Sequence, residues 1–127
     1  MKNDNERDPL TGLVIGCAIE VHRTLGPGLL ESTYQNCLSQ ELTLQNVEHR
    51  LECPLPVFYK GMKVECGYRV DLMVENKLIV ELKAVREITD VHKAQLLTYL
   101  KLSGISTGLL INFNVCVLKD GIIRLKM

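Results

Sequence analysis

Asp71 is followed ten positions later by the triplet Glu81-Leu82-Lys83. Both groups lie in strand-like runs, Tyr68–Val74 and Leu78–Ala84, joined by Glu75-Asn76-Lys77. A three-residue loop sets Val74 opposite Leu78, and counting outward sets Asp71 opposite Glu81. Two carboxylates facing each other across a ladder repel. A cation between them removes the conflict, and a pair of carboxylates with water is the usual way to hold Mg²⁺. Lys83, two residues beyond Glu81, shares its face of the strand. Two acids and an ammonium at one point on a sheet are suited to metal-assisted attack of water on a phosphodiester. The competing explanation is an ordinary solvated hairpin face, because polar–apolar alternation is what a half-buried antiparallel pair looks like.

Parity decides between these readings. A two-residue loop would shift one strand by one position and part the two acids. The three-residue loop also brings Tyr68, Val70, Leu72 and Val74 to the same side as Leu78, Val80 and Leu82, so burial favours the register that pairs Asp71 with Glu81. In that register Arg69 faces Lys83.

The rest of the chain must position this hairpin. Its 127 residues, 46% hydrophobic and 24% charged, suit one globular domain with a real core. Residues 1–8 read as a disordered tail and 9–127 as the single domain. Pro9 opens a largely buried helix to Leu25, which Gly26-Pro27-Gly28 ends. A second helix is expected from Gly28 or Leu29 to about Gln45. Val47–Tyr59 reads as extended, with Pro54 and Pro56 marking an edge. Strand residues follow from Met62 to Val74. A third helix is expected over Asp90–Leu102, capped by Thr89 or Asp90 and ended at Ser103-Gly104. A short strand at Leu109–Ile111, a turn at Lys119-Asp120-Gly121 and a last strand at Ile122–Leu125 close the chain. The order predicts an α/β fold, a mixed central β-sheet flanked by helices.

Fifteen basic and fifteen acidic residues cancel, so charge alone does not hold this chain on long duplex DNA. Cys17, Cys37, Cys53, Cys66 and Cys116 contain no C-x-x-C pair and no zinc spacing. Three of the five fall in apolar patterns. The polar N-terminal stretch does not read as a signal peptide, and Leu13–Val21 reads as too short for a membrane span. A reducing cytoplasm and no membrane association are expected.

With D…ExK on its second and third strands, this order resembles the PD-(D/E)XK nuclease superfamily, whose restriction-endonuclease-like core runs helix-βββ-helix-β. More narrowly, Gly28-Leu29-Leu30-Glu31-Ser32-Thr33-Tyr34 matches the signature of the GxxExxY family within it. Ala18–His22, Val80–Ala84, Ala94–Leu100 and Leu109–Phe113 fit as well. The resemblance implies a Mg²⁺ site, with Mn²⁺ as a substitute, formed by Asp71, Glu81, the carbonyl of Leu82 and the helix acid Glu31. It implies Lys83 as the residue that orients water and stabilises phosphate charge. Gln95 and Tyr99 fit a Q-x-x-x-Y motif that would contact substrate, and at i and i+4 they share a helix face. Tyr99 could equally be core and Gln95 solvated. Val70 stands where the motif's proline would be. Glu31 would also stabilise the start of its helix if Gly28 is the N-cap. Tyr34 reads as a packing residue that orients it. His22 is a candidate phosphate contact by analogy, though a core or helix-end histidine is the commoner case.

The expectation is a metal-dependent nuclease acting on nucleic acid, DNA foremost, with target choice supplied by loops, a homodimer or a partner protein. The alternative is a catalytically inactive module for nucleic-acid binding or assembly.

Overall fold

In the computed structural model, residues 8–65 and 67–127 are described. The expected tail at residues 1–7, and Cys66, lie outside them. Asp8, placed in that tail by the sequence reading, is instead the N-cap of α1 (Pro9–Leu25): its carboxylate accepts from the Thr11 amide at 3.2 Å and the Thr11 hydroxyl at 2.6 Å.

The second helix, α2 (Glu31–Leu44), begins later than expected, with Leu30 at its N-cap. Gly26 and Gly28 both take positive φ, 73° and 98°, which a right-handed helix cannot contain. Glu31 is therefore the first helical residue, not the third. Next come β1 (His49–Pro54), β2 (Val57–Tyr59), β3 (Met62–Val64), β4 (Arg69–Val74) and β5 (Leu78–Lys83). The single run expected over Met62–Val74 is thus divided, with Gly67 at φ 71° in the break. Then follow α3 (Asp90–Ser103), β6 (Thr107–Asn112), a 3₁₀ turn at Leu118–Gly121, and β7 (Ile122–Lys126). Thr89 and Gly104 cap α3, Gly104 in the left-handed conformation.

The main sheet has the order β1-β4-β5-β6-β7. β5 and β6 are parallel, joined by the crossover through α3, and the remaining neighbours are antiparallel. β1 is an edge strand that ends at Pro54, where a missing N–H is tolerated. One face of the sheet packs on α1 and α2 through Leu72, Val80, Leu82 and Ile111. The other packs on α3 through Met73, Ile79, Leu96 and Leu110. β5 and β6, covered on both faces, read as continuous apolar runs for that reason. β2 and β3 form a separate two-stranded ribbon. Among the described residues no helix is long and apolar enough to cross a membrane.

Candidate active site

The loop Glu75-Asn76-Lys77 joins β4 and β5 with Val74 opposite Leu78, Met73 opposite Ile79 and Leu72 opposite Val80. Glu75 and Asn76 take positive φ of 51° and 54° to close it. This is the register that the three-residue loop requires. Continued by one step, it sets Asp71 against Glu81.

At that step side chains take over from the ladder. The Asp71 amide donates to Oε1 of Glu81 at 2.8 Å, and the Leu82 amide donates to Oδ2 of Asp71 at 2.8 Å. Each acid thus accepts a hydrogen bond from the opposite strand. The alternation breaks at the same point. Leu72 faces α1 and α2, but Val70, expected on the same side, packs in the α3 layer with Tyr99 and Leu100. The backbone pairing of β4 with β5 ends at Leu72–Val80, and beyond it Val70 lies on the other face.

The electrostatics follow from burial. Glu81 is 5% exposed. Desolvation, reinforced by the neighbouring Asp71 charge, pushes its carboxyl up to about 8. Asp71 is raised as well, by burial first, and also by Glu52 and Glu31. Lys83 favours the ionised form of both acids. Among the described residues no ion pair ties Lys83 to either of them, so its ammonium is not committed to holding the acids.

The other candidates divide. Glu31, at the start of α2, accepts from the Ala84 amide at 3.2 Å, which tethers the helix to the residue after Lys83. Tyr34 is fully buried and stacks on Phe113 at 4.3 Å. Its hydroxyl donates to the Gly26 carbonyl at 2.6 Å and accepts from the Leu29 amide at 3.1 Å. The G-x-x-E-x-x-Y spacing is then physically intelligible. Gly28 supplies positive φ, Tyr34 fastens the turn from the helix side, and Glu31 lands on the end of β5. Tyr34→Phe keeps the stacking but deprives the part-buried Gly26 carbonyl of its donor, and should cost about 1 kcal/mol in urea unfolding.

On the α3 side, Tyr99 is 5% exposed and Gln95 is exposed. The Tyr99 hydroxyl is held up by burial and by the Glu81 and Asp71 charges, with Gln95 as its hydrogen-bond partner. Tyr99 is both a core residue and a neighbour of the acids. His22 is not brought to them. It is buried on α1 with Nε2 2.8 Å from the Val115 carbonyl and its ring 6.3 Å from Phe113. That makes it a core histidine on the opposite face of the sheet.

Three contributors escaped the sequence reading. Glu52 stands on β1 between the pairs Leu51–Leu72 and Cys53–Val70, opposite Asp71, with φ 49°. Its pairing is non-local, and nothing in the sequence signals it. Tyr68 meets Tyr99 edge-on at 6.3 Å. Asn112, 2% exposed, clamps the chain after Lys83: its amide donates to the Val85 carbonyl at 2.9 Å and its oxygen accepts from the Val85 amide at 3.1 Å. A polar residue ending the apolar run Gly108–Ile111 is the one signal that could have found it.

The donor set fits a hard divalent cation. Each acid spends one oxygen on a ladder amide and keeps the other for a ligand. A buried carboxylate, Glu81, beside a partly buried one, Asp71, is relieved by positive charge. Among the described residues no three acids, histidines or cysteines gather closely enough to hold an ion by themselves, so backbone oxygen and water would complete the shell.

The profile of the PD-(D/E)XK nuclease superfamily matches residues 8–125. Neither curated proteins nor solved structures give a match.

Proposed function

The chain belongs to the PD-(D/E)XK nuclease superfamily, and on that footing we propose that it is a divalent-metal-dependent phosphodiesterase acting on nucleic acid, DNA foremost. Nuclease-type phosphodiester hydrolysis is the general chemistry of the superfamily, and nucleic acid its substrate class. The observation that carries the finer reading is the reciprocal bonding of Asp71 and Glu81, which brings two repelling, desolvated carboxylates to one point beside Lys83. Within the superfamily we place the chain among the GxxExxY proteins, on Gly28, Glu31 and Tyr34.

Asp71, Glu81 and the Leu82 carbonyl would hold Mg²⁺ or Mn²⁺, with Glu31 acting directly or through water. When bound, the cation would supply Lewis-acid stabilisation of the phosphoryl oxygens. Lys83 orients the attacking water and stabilises charge that develops on the phosphate. Tyr99 and Gln95 line the approach from α3. Glu31 and Asn112 hold the two sides of the chain segment that carries Lys83. The free thiols of Cys17, Cys37, Cys53 and Cys116 suit a reducing cytoplasm.

One observation favours a second reading, an inactive binding or assembly module. Both acids already have structural work, each closing a ladder amide, so a chain without metal still has a use for them. Calorimetric titration of Mn²⁺ into wild type and an Asp71→Asn/Glu81→Gln double variant separates the two, with cleavage of labelled single- and double-stranded DNA followed in parallel. Saturable binding and cleavage, both lost in the variant, are expected. A folded wild type that takes up no metal leaves the binding module as the better account.

A further inference from the structure

The six aromatic side chains of this protein are unevenly distributed. Tyr34 and Phe113 are fully buried, and Tyr99 is nearly so. Phe58, Tyr59 and Tyr68 are 66%, 60% and 44% exposed. These three lie within or just after the ribbon β2–β3, together with Met62, which is 63% exposed.

The ribbon is not a support for the core. Its strands pair only with each other, Phe58 opposite Lys63 and Tyr59 opposite Met62. Facing partners share a side of a ribbon and successive residues alternate. Phe58 and Lys63 therefore occupy one side, and Tyr59 and Met62 the other. Both sides carry an open ring. An isolated two-stranded hairpin is marginal in water and gains nothing from exposing large apolar groups.

Charge concentrates on the same segment. From Pro54 to Arg69, Lys60, Lys63 and Arg69 stand against Glu65 alone, in a chain that is neutral as a whole. The Lys60 ammonium lies 5.4 Å from the Tyr59 ring centroid. Lys63 meets Glu65 at 3.5 Å, an exposed contact that water and salt weaken. The segment leads into the site: β4 begins at Arg69, and Tyr68 meets Tyr99, which stands within electrostatic reach of both acids.

We propose that the β2–β3 ribbon is a grip for single-stranded nucleic acid, in which Phe58 and Tyr59 stack on unpaired bases while Lys60 and Lys63 hold the backbone phosphates, delivering the strand past Tyr68 to the acid pair. The delivery step rests on the nuclease reading; the grip does not. Rings interleaved with lysines are the chemistry that holds unpaired strands without reading sequence. A duplex keeps its bases stacked on one another and offers the rings nothing. The ribbon also accounts for how a neutral chain holds a polyanion, since the contact is local.

The test is fluorescence anisotropy of a labelled oligodeoxythymidylate with the full chain in chelator, alongside a duplex of equal length. Phe58→Ala/Tyr59→Ala should weaken binding of the single strand by at least about tenfold and leave the duplex unaffected. Lys60→Ala/Lys63→Ala should flatten the dependence of log affinity on log salt by about 1.4. The substituted side chains are solvent-exposed, and circular dichroism should show unchanged folding. Wild-type affinity in the aromatic variant overturns the proposal, as does a wild type that prefers duplex. A dimer that becomes monomeric on ribbon substitution, with oligonucleotide binding unchanged, also overturns it, and would identify a self-association surface. Metal uptake and cleavage report separately on the acids. Ribbon-dependent binding without metal uptake overturns the nuclease reading and leaves the grip in place.

Discussion

Glu81→Gln should stabilise the metal-free protein at alkaline pH while removing one of the two carboxylates proposed to hold the cation. Glu81 ionises at about 8 in the folded chain against 4.5 for an unperturbed carboxyl. Below the lower value both folded and unfolded states hold the proton, and stability does not respond to it. Between the two values only the folded state keeps it, so each rise in pH removes stability. Above about 8 the full penalty of a buried carboxylate beside Asp71 is present. At about 1.4 kcal/mol per pKa unit, that penalty reaches up to about 5 kcal/mol. Glutamine keeps an oxygen for the Asp71 amide and carries no charge. Urea unfolding in chelator should therefore show the variant and wild type converging near pH 4.5 and diverging by several kcal/mol at pH 8.5 and above. Equal stability at both pH values would show that Glu81 titrates normally, and the site would lose its electrostatic rationale. Excess Mn²⁺ should restore wild-type stability at high pH, since a ligand of the folded state raises its stability by mass action.

The second large effect is kinetic. Lys83→Met retains most of the side chain's apolar length and removes the ammonium. If Lys83 serves water and phosphate rather than the fold, Mn²⁺ affinity should hold or tighten, because a nearby positive charge is gone. Single-turnover cleavage should fall about 10²–10³-fold, the usual cost of losing one donor to developing charge. Cleavage at the wild-type rate would show that the ammonium takes no part in the chemistry. Loss of metal affinity together with cleavage would reassign Lys83 to building the site.

The local half of this site was legible in sequence and the non-local half was not. The pairing of Asp71 with Glu81 followed from a three-residue loop and the demand that Leu72, Val80 and Leu82 share a side, because a hairpin's register is settled within a dozen residues. The break at Asp71 that sends Val70 to the α3 layer was not legible. It coincides with the point where carboxylates, not backbone carbonyls, accept the strand amides, a change that no residue type announces. The late start of α2 could have been anticipated, since two glycines close together around a proline are a poor opening for a helix. Glu52 was invisible because β1 and β4 are separated by fourteen residues of chain, residues 55–68, that carry the β2–β3 ribbon. The superfamily match bears on the same division: it covers residues 8–125, the whole frame that brings these segments together.

The reciprocal bonds between acids and amides also constrain how such a protein can change over generations. Losing either carboxylate to a small apolar residue would cost a proposed ligand and leave a strand amide without its acceptor in the same step. Asparagine at 71 or glutamine at 81 would cost the proposed ligand alone. A lineage that abandoned the chemistry but kept the fold should therefore drift first to the amides, and an Asn…Gln-x-Lys hairpin in a descendant chain would mark a retired site rather than one that was never built.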